Sequence, residues 1–275
     1  MEFSANYCNR AARGSKPDMA KMNSDQISEA KADSQDGWRE TLKTVIYAVL
    51  IALVIRTVAY EPFNIPSGSM LPTLLIGDYV FVAKYPYGYS KHSMPLSPPL
   101  FNGRINEAPV VRGDIAVFKL PTDNSTDYIK RIMGLPGDRL QMIDGVLHIN
   151  GKAVKKERVE DFVQKHSGAR YARVRQYRET LPSGRTYLTL DLQPRGMADN
   201  TNVYVVPPKH YFAMGDNRDD STDSRFLDHV GFIPAENLVG RADMIFFSVN
   251  DQARIWEIWK WPQAIRFRRF FSGFG

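Results

Sequence analysis

The first residues that could perform chemistry form a short loop in which two serines flank a glycine. Ser67, Gly68 and Ser69 lie between two prolines, which stiffen the loop enough to present hydroxyl groups at fixed positions. A Ser-Gly-Ser loop taken alone is typical of a surface turn. The residues around this one are largely apolar, which favours a second interpretation, in which one hydroxyl is a nucleophile.

A serine hydroxyl is a weak nucleophile and needs a base beside it. The sequence holds no Gly-x-Ser-x-Gly elbow and no His and Asp pair in a recognisable triad context. A lysine can serve instead if apolar burial lowers its pKa, because desolvation disfavours the charged amine. Lys130 is the candidate, since strand alternation places it on one face with Tyr128 and Ile132. The alternative is a strand lysine whose stem packs and whose ammonium reaches water.

A third polar segment, 214–225, lies between two apolar runs. Its closely spaced Asp and Arg residues either brace the loop among themselves or support a site. In the second case they would supply a hydroxyl that orients an amine and an ion pair that fixes the turn.

Composition narrows the chemistry further. The single cysteine, Cys8, excludes an intramolecular disulfide and a Cys-rich zinc site, and the five histidines are too far apart to form a short ligand pair. We therefore expect no metal and no other cofactor. The formal charge of +6 comes from scattered residues without zinc-finger or basic-zipper spacing, so nucleic-acid binding is not predicted.

The elements that must position these residues begin with a polar stretch, 1–43, which lacks a hydrophobic period and predicts a flexible tail. Residues 44–60 follow, with an unbroken apolar run and Arg56 near the far end. A transmembrane anchor is the favoured interpretation, and a cleaved secretory signal and a buried core helix are the alternatives. As a helix this segment reaches about 26 Å, and Arg56 can extend to the headgroups.

Charge asymmetry predicts the orientation of this anchor. Arg39 and Lys43 precede it, whereas residues 61–80 contain no Lys or Arg. Positive residues flank membrane helices on the cytoplasmic side. We therefore expect a single pass, with the amino terminus in the cytoplasm and residues 61–275 on the outer side.

Residues 61–275 contain many short β-type runs bounded by Gly, Pro and Asp. Several of these runs follow a Gly-Asp pair, ending at Asp78, Asp114 and Asp138, and such pairs form turns that lead into strands. The expected fold class is therefore mostly β, an antiparallel β-sheet domain after one N-terminal helix. Residues 152–202 are more polar and predict an inserted cap or second subdomain.

Together these segments resemble the bacterial type I signal peptidases, a family of serine proteases with a Ser-Lys dyad. Members share a Ser-Gly-Ser-Met-x-Pro-Thr box, a Gly-Asp-led strand, a Tyr-Ile-Lys-Arg-x-x-Gly-x-Pro-Gly-Asp box and a Gly-Asp-Asn-Arg-Asp-x-Ser-x-Asp-Ser-Arg box. All four occur here in that order, between about Arg56 and Arg241 and outside the variable region 152–202. The resemblance implies a signal-peptidase fold and an endopeptidase that removes N-terminal signal peptides from exported preproteins at the outer, periplasmic face of the cytoplasmic membrane.

The resemblance also implies a role for each residue that matches a box. Ser69 would be the acylating nucleophile, and Lys130 would be the base that takes its proton. Ser67 would donate its hydroxyl to the oxyanion, together with the backbone N–H of Ser69. The supporting residues would be a hydroxyl that positions the lysine amine and an ion pair behind it, namely Ser221, Asp223 and Arg225.

Shallow apolar pockets are implied for the small side chains at the first and third positions before the cut, and these pockets would select an Ala-x-Ala-like end. The matching residues are Phe63, Ile65, Met70, Leu74, Val80, Val117, Tyr128 and Ile129. Signal peptides and the lipid bilayer are the expected partners. Some relatives have two anchors or a disulfide, whereas one anchor and no disulfide are expected here.

Two other functions compete with this one. A Ser-Lys self-cleaving repressor of the related lineage would have a DNA-binding domain before its catalytic part, where the apolar segment stands instead. A membrane-tethered paralogue that only binds exported chains would be expected to lack Ser69 or Lys130, and both are present. The aromatic and basic stretch 255–271 predicts either contact with the membrane interface or an ordinary edge of the β core.

Overall fold

Residues 19–94, 97–98, 101–165, 171–193, 195–250 and 258–274 are described by the computed structural model of the chain. Two units divide the chain, Met1–Ala52 and Leu53–Gly275. The boundary between them lies inside a long helix, α1 (Met19–Val58).

Helix α1 contains a stretch, Trp38–Val58, that is long and apolar enough to cross a membrane. Apolar side chains lie all around this stretch and are about half exposed, as in a helix whose surroundings are themselves apolar. The helix begins at Met19, inside the predicted tail 1–43, because the residues from there onward are rich in the helix formers Ala, Lys, Glu and Met. Residues 1–18 of that tail lie outside the described residues, and its flexibility stays a prediction.

Within the described residues, α1 is followed by sixteen strands and one short helix, α2 (Trp261–Ala264). The strands are β1 (Tyr60–Asn64), β2 (Asp78–Ala83), β3 (Ile115–Lys119), β4 (Asp127–Gly134), β5 (Arg139–Ile143), β6 (Val146–Ile149), β7 (Lys152–Ala153), β8 (Lys155–Arg158), β9 (Phe162–Lys165), β10 (Tyr171–Thr180), β11 (Thr186–Asp191), β12 (Tyr204–Val205), β13 (His210–Met214), β14 (Ile233–Pro234), β15 (Leu238–Ser248) and β16 (Ser272–Gly273). Short 3-10 turns lie at Tyr85–Tyr87, Lys91–Ser93, Ala235–Asn237, Ile258–Lys260 and Phe267–Arg269.

The largest sheet arranges its strands in the order β1-β2-β15-β3-β4-β13-β14, and β16 pairs with β15 as well. All of its strand pairs are antiparallel. The long strand β15 shifts register against both of its main neighbours, and such bulges bend a strand and increase its twist. The sheet is therefore curled, and the predicted fold class, mostly β with antiparallel pairing, is confirmed.

The Gly-Asp pairs lead into strands as predicted. Gly77, Gly113 and Gly137 have φ angles of 84°, 96° and 87°, in the region that glycine enters without strain. The carboxylate of each following aspartate accepts the backbone N–H of the residue three positions earlier, which closes the turn. These hydrogen bonds run from Leu75 to Asp78, from Val111 to Asp114 and from Leu135 to Asp138.

Two smaller sheets accompany the large one. In the first, called here the inserted sheet (β8 to β11, residues 155–191), β10 lies between β11 and β8 and also pairs with β9. The second has the order β12-β5-β6-β7. The region 152–202, predicted to be an inserted cap or second subdomain, thus provides all four strands of the inserted sheet and β7 of the other.

The C-terminal residues lie along β15. Strand β16 pairs with it, and the rings of Phe247 and Phe270 have centroids 5.5 Å apart. Phe267 and Phe271 are largely exposed. Residues 255–257 of the aromatic stretch 255–271 lie outside the described residues, and contact of this stretch with a membrane stays a prediction.

Candidate active site

The loop that holds Ser69 follows β1 directly. The backbone N–H of Ile65 donates to the carbonyl of Asp78 (2.8 Å) and that of Gly77 donates to the carbonyl of Ile65 (2.9 Å), so the start of the loop is fixed against the start of β2. Ser69 is 8% exposed, whereas Ser67 is exposed. Their Oγ atoms lie 3.4 Å apart. One hydroxyl is therefore enclosed by protein, and the other stands at the rim beside it.

Lys130 lies in β4, opposite Ala116 of β3. Its Nζ is 2.7 Å from Ser69 Oγ and 3.1 Å from the carbonyl oxygen of Ile129. Tyr128, on the same face of the strand, places the centre of its ring 5.2 Å from Nζ. Lys130 is 4% exposed, so its amine lies among protein atoms rather than in water.

Burial lowers the pKa of Lys130 from 10.5 to about 8, because desolvation disfavours the charged amine. The negative charges of Asp223 and Asp216 act in the opposite direction, and the positive charge of Arg225 acts in the same direction as burial. With this pKa about half of the amine is neutral at pH 8 and about a tenth at pH 7. A neutral amine next to a hydroxyl can accept its proton.

The segment 214–225 folds around the carboxylate of Asp223, which is fully buried. Asp223 Oδ2 accepts the backbone N–H of Gly215 (2.9 Å) and the hydroxyl of Ser221 (2.8 Å). Arg225 donates to both carboxylate oxygens, through Nε at 2.8 Å and Nη2 at 2.9 Å. Burial raises the pKa of Asp223, but Arg225 and the hydrogen bonds outweigh it and hold the pKa below its usual value.

The resemblance to signal peptidases assigns Ser221 to the positioning of the lysine amine. In the structure the Ser221 hydroxyl donates to Asp223, and the hydrogen bonds of Lys130 Nζ among the described residues go to Ser69 and Ile129. Ser221 is thus hydrogen-bonded to Asp223, and the negative charge of Asp223 acts on the amine of Lys130 by raising its pKa. A direct role for the Ser221 hydroxyl stays a prediction.

A cleft of about 500 Å³ opens beside Ser69 and Lys130. The predicted pocket residues that line it are Phe63, Ile65, Val117, Tyr128 and Ile129. The remaining ones, Met70, Leu74 and Val80, are fully buried in the hydrophobic cluster that also contains Ile65 and Val117, so they support the cleft wall from behind. The cleft is also lined by polar residues that the sequence patterns did not predict there, namely Asn64, Asp127, Asp220 and Thr222.

A buried ion pair beside the dyad was also missed from sequence. Arg131 Nε and Nη2 donate to the two carboxylate oxygens of Asp216 at 2.8 and 2.7 Å, and the hydroxyl of Thr73 donates to Asp216 at 2.5 Å. This group joins β4, the Ser69 loop and the segment 214–225. The alternation of side chains along a strand could have indicated this pair. Arg131 directly follows Lys130, so its side chain points to the opposite face of the strand, into protein, where a buried guanidinium needs a carboxylate partner.

Asn217 fixes the Ser69 loop from the other side. Its backbone N–H donates to the carbonyl of Ser69 and its side-chain amide donates to the carbonyl of Gly68, both at 3.1 Å. No spacing in the sequence indicates this contact, because the two segments are about 150 residues apart. Among the described residues, no group of three or more His, Cys, Asp or Glu side chains is arranged to hold a metal ion.

Comparison with known proteins bears directly on this arrangement. The sequence profile described as signal peptidase, peptidase S26, matches residues 38–247. The chain belongs to the signal peptidase family. The resemblance found in the four sequence boxes is thus confirmed, and the protein is a serine endopeptidase by family, a hydrolase of peptide bonds.

Relatives in this family match almost the whole chain. The chain is 40% identical over 263 residues to signal peptidase I of Rickettsia conorii, and the match covers 90% of this chain and 97% of the relative. It is also 40% identical over 268 residues to signal peptidase I of Rickettsia typhi, with 91% and 97% covered. A crystal structure of a signal peptidase I from Enterococcus faecalis V583 has 26% sequence identity and a TM-score of 0.28, and the match covers 48% of this chain and 96% of that one.

Proposed function

We propose that this peptidase is a membrane-anchored enzyme that removes signal peptides from exported preproteins, with Ser69 as nucleophile and Lys130 as general base. One observation carries the proposal: Lys130 Nζ lies 2.7 Å from Ser69 Oγ while both residues are buried at one side of the cleft. A serine nucleophile requires an adjacent base, and a desolvated amine with a lowered pKa is such a base.

In the proposed acylation, the neutral amine of Lys130 accepts the Ser69 proton while Ser69 Oγ bonds to the scissile carbonyl carbon. The Ser67 hydroxyl and the backbone N–H of Ser69 stabilise the negative charge that develops on the carbonyl oxygen. The carbon–nitrogen bond then breaks, the proton passes from Lys130 to the leaving amine, and the signal peptide stays esterified to Ser69. A water molecule then gives a proton to the neutral amine of Lys130 and attacks the ester carbonyl carbon. The bond to Ser69 Oγ breaks, Ser69 Oγ takes the proton from Lys130, and the signal peptide leaves with a free carboxylate.

The apolar part of the cleft wall supports specificity for small residues. Phe63, Ile65 and Val117 line the cleft, and none of them offers a charge or a hydrogen-bond donor to a substrate side chain. Such a shallow apolar wall suits the alanine-like side chains at the first and third positions before the cut. The length and apolar surface of Trp38–Val58 support membrane anchoring. Arg39 and Lys43 precede the apolar residues and no Lys or Arg occurs in 61–80, which supports an orientation with residues 61–275 on the outer face of the cytoplasmic membrane.

The test is cleavage of a preprotein that has an Ala-x-Ala site by the full-length chain purified in detergent. We expect a product whose new amino terminus follows the second alanine. Ser69→Ala and Lys130→Ala should each lower the rate of cleavage by several orders of magnitude, because nucleophile and base act as one unit. Ser183→Ala and Lys155→Ala, at exposed positions, are matched controls and should cleave at the wild-type rate.

Each outcome separates the proposal from its alternatives. A chain that binds the preprotein but leaves it intact at all pH values would be a tethered binder and not a peptidase. Cleavage of the chain itself, seen as a loss of intact mass that Ser69→Ala prevents, with no cleavage of the preprotein, would indicate a self-cleaving protease. Substantial activity in Lys130→Ala would contradict the dyad.

A further inference from the structure

The inserted sheet is paired directly with the segment that supports the catalytic residues. The backbone N–H of Leu190 in β11 donates to the carbonyl of Asp216 at 2.9 Å, and the backbone N–H of Arg218 donates to the carbonyl of Leu190 at 3.0 Å. These two bonds form a parallel bridge between Leu190 and Asn217. Asn217, the residue held in this bridge, is the one whose N–H binds the carbonyl of Ser69.

A buried ion pair strengthens the same junction. Arg218 Nη2 donates to Glu179 Oε2 at 2.6 Å, and the two side chains are 4% and 1% exposed. The hydroxyl of Tyr187 donates to the same carboxylate oxygen at 2.5 Å, and that of Thr189 donates to Oε1 at 3.4 Å. Glu179 lies in β10, and both hydroxyls come from β11. The inserted sheet therefore presents one fixed negative charge to the segment 214–225.

The buried positive charge of Arg218 is compensated by the carboxylate of Glu179. Its Nε and Nη1 atoms are buried without a hydrogen-bond partner among the described residues, so the contacts at Nη2 balance the charge. Removing one member of a buried ion pair leaves the other as an uncompensated charge in a medium of low polarity. The guanidinium of Arg218 would then have to move toward water, and its backbone would move with it.

The backbone of Arg218 is in turn tied to the rest of the catalytic support. Arg225 Nη2 donates to the carbonyl of Arg218 at 2.5 Å, and the same guanidinium holds Asp223. Arg218 is therefore bonded on one side to the group that faces Lys130, and on the other side it adjoins Asn217, which holds Ser69. A shift at this one residue would reach both members of the dyad.

We propose that the inserted sheet braces the segment 214–225 and that Glu179 is a positioning residue for Ser69 and Lys130. This inference rests on the proposed function of the dyad. Glu179 is not a catalytic residue, because its side-chain hydrogen bonds within the described part of the chain go to Arg218, Tyr187 and Thr189 and not to the dyad. It acts by holding Arg218 where Asn217 and Arg225 can hold the site.

The decisive variants are Glu179→Gln, which keeps the shape and removes the charge, and Tyr187→Phe, which removes one hydrogen bond to Glu179 and keeps the ring that packs on Arg131. The matched control is Glu157→Gln, the same substitution at an exposed glutamate of the inserted sheet. Glu157 lies in β8, and its carboxylate pairs with Lys155 at 2.9 Å, where the two side chains are 48% and 67% exposed. Steady-state kinetics on a short Ala-x-Ala peptide would be measured for all three.

We expect kcat to fall by roughly tenfold or more in Glu179→Gln and by a smaller factor in Tyr187→Phe, with KM within about twofold of wild type. The acid limb of kcat/KM should move to higher pH in both variants, since a loosened segment admits water to Lys130. Glu157→Gln should keep both the wild-type kcat and the wild-type acid limb. A drop in stability alone would leave the pH profile of the folded fraction unchanged.

Hydrogen–deuterium exchange across residues 214–225 gives a readout that does not depend on turnover. Faster exchange in Glu179→Gln and Tyr187→Phe than in Glu157→Gln supports the brace, even if the wild type proves unable to cleave preproteins and the proposed function fails. If Glu179→Gln does not fold, Tyr187→Phe decides. Unchanged kcat, pH profile and exchange in a folded variant, or equal effects in Glu157→Gln, would overturn the proposal.

Discussion

Gly215 faces Ser221 so closely that a Cβ atom at position 215 would lie 2.2 Å from Ser221 Oγ. The same atom would lie 2.6 Å from the carbonyl oxygen of Ser69. Both distances are far shorter than van der Waals contact, and one of the two neighbours is backbone. The absence of a side chain at Gly215 is thus a condition for the approach of segment 214–225 to the Ser69 loop.

Gly215→Ala is therefore expected to displace Ser221 and the Ser69 loop and to lower kcat by roughly 10² or more, since misplacement by about 1 Å is enough for such a loss. The control is Gly273→Ala in β16, where the nearest atom to the new Cβ is 3.6 Å away and φ is ordinary. Peptide cleavage and thermal unfolding of both variants would be compared. Wild-type activity in folded Gly215→Ala would show that the loop tolerates the displacement.

The pH dependence of activity should follow the neutral amine of Lys130. With a pKa lowered to about 8, kcat/KM is expected to rise about tenfold per pH unit below pH 8 and to level off above it. A histidine base near 6.5 would already have reached its plateau by pH 8. Rates on an Ala-x-Ala peptide from pH 5 to 11 measure this. A plateau that starts near pH 7 would contradict a lysine base.

The same lowered pKa predicts a stability effect of defined sign. Between the folded pKa of about 8 and the unfolded value of 10.5, the unfolded chain binds more protons, so the free energy of unfolding gains a contribution that rises with pH in this window. Lys130→Met should lack this contribution. Denaturant unfolding would be measured for the wild type and Lys130→Met at pH 7, 8, 9 and 10. The free energy of unfolding of Lys130→Met minus that of the wild type should fall as pH rises. A constant difference would contradict the lowered pKa of Lys130.

Ser67 can be tested apart from the dyad. Its hydroxyl stands 3.4 Å from Ser69 Oγ at the exposed rim of the cleft, a position suited to an oxyanion donor. Ser67→Ala should lower kcat by about 10² to 10³ with little change in KM, and Ser67→Thr should retain part of the activity. An unchanged kcat in Ser67→Ala would return this serine to the role of a turn residue.

The contribution of burial to the stability of an ion pair can be tested on two Asp–Arg pairs, one buried and one partly exposed. Asp223 pairs with Arg225 at 0% and 1% side-chain exposure, whereas Asp243 pairs with Arg241 at 16% and 36%. Asp223→Asn leaves Arg225 buried and uncompensated and should destabilise the fold by about 3 to 5 kcal/mol. Asp243→Asn should cost at most about 1 kcal/mol. Equal losses in chemical denaturation would show that Arg225 finds another partner.

Much of this arrangement could be predicted from sequence because the signals were local. The alternation of Tyr128, Lys130 and Ile132 predicted an apolar setting for the lysine, and the Gly-Asp pairs predicted turns that the structure contains at Gly77, Gly113 and Gly137. The antiparallel β fold followed from the same turns. Each of these predictions needed only a few neighbouring residues.

The remaining features depend on contacts between distant segments. Asn217 holds the carbonyls of Gly68 and Ser69 through its amide groups, and Glu179 reaches Arg218 from the inserted sheet. A backbone hydrogen bond leaves no mark in sequence, and a glutamate in a polar region resembles any surface glutamate. The burial of Met70 and Leu74 behind the cleft wall also depended on how the loop turns, and that of Val80 depended on the pairing of β2, neither of which follows from their apolar character alone.

The active site is built from three segments that lie far apart in the sequence, so they are synthesised at different times. Ser69 is separated from Lys130 by 61 residues, and Gly68 from Asn217 by 149. Contacts at such separations close large loops and form late in folding. A nascent chain that has produced only the Ser69 loop and β4 still lacks Asn217 and Asp223. Proteolytic activity is therefore expected only once the last of these segments has left the ribosome, so that the growing chain is not a protease during its own synthesis.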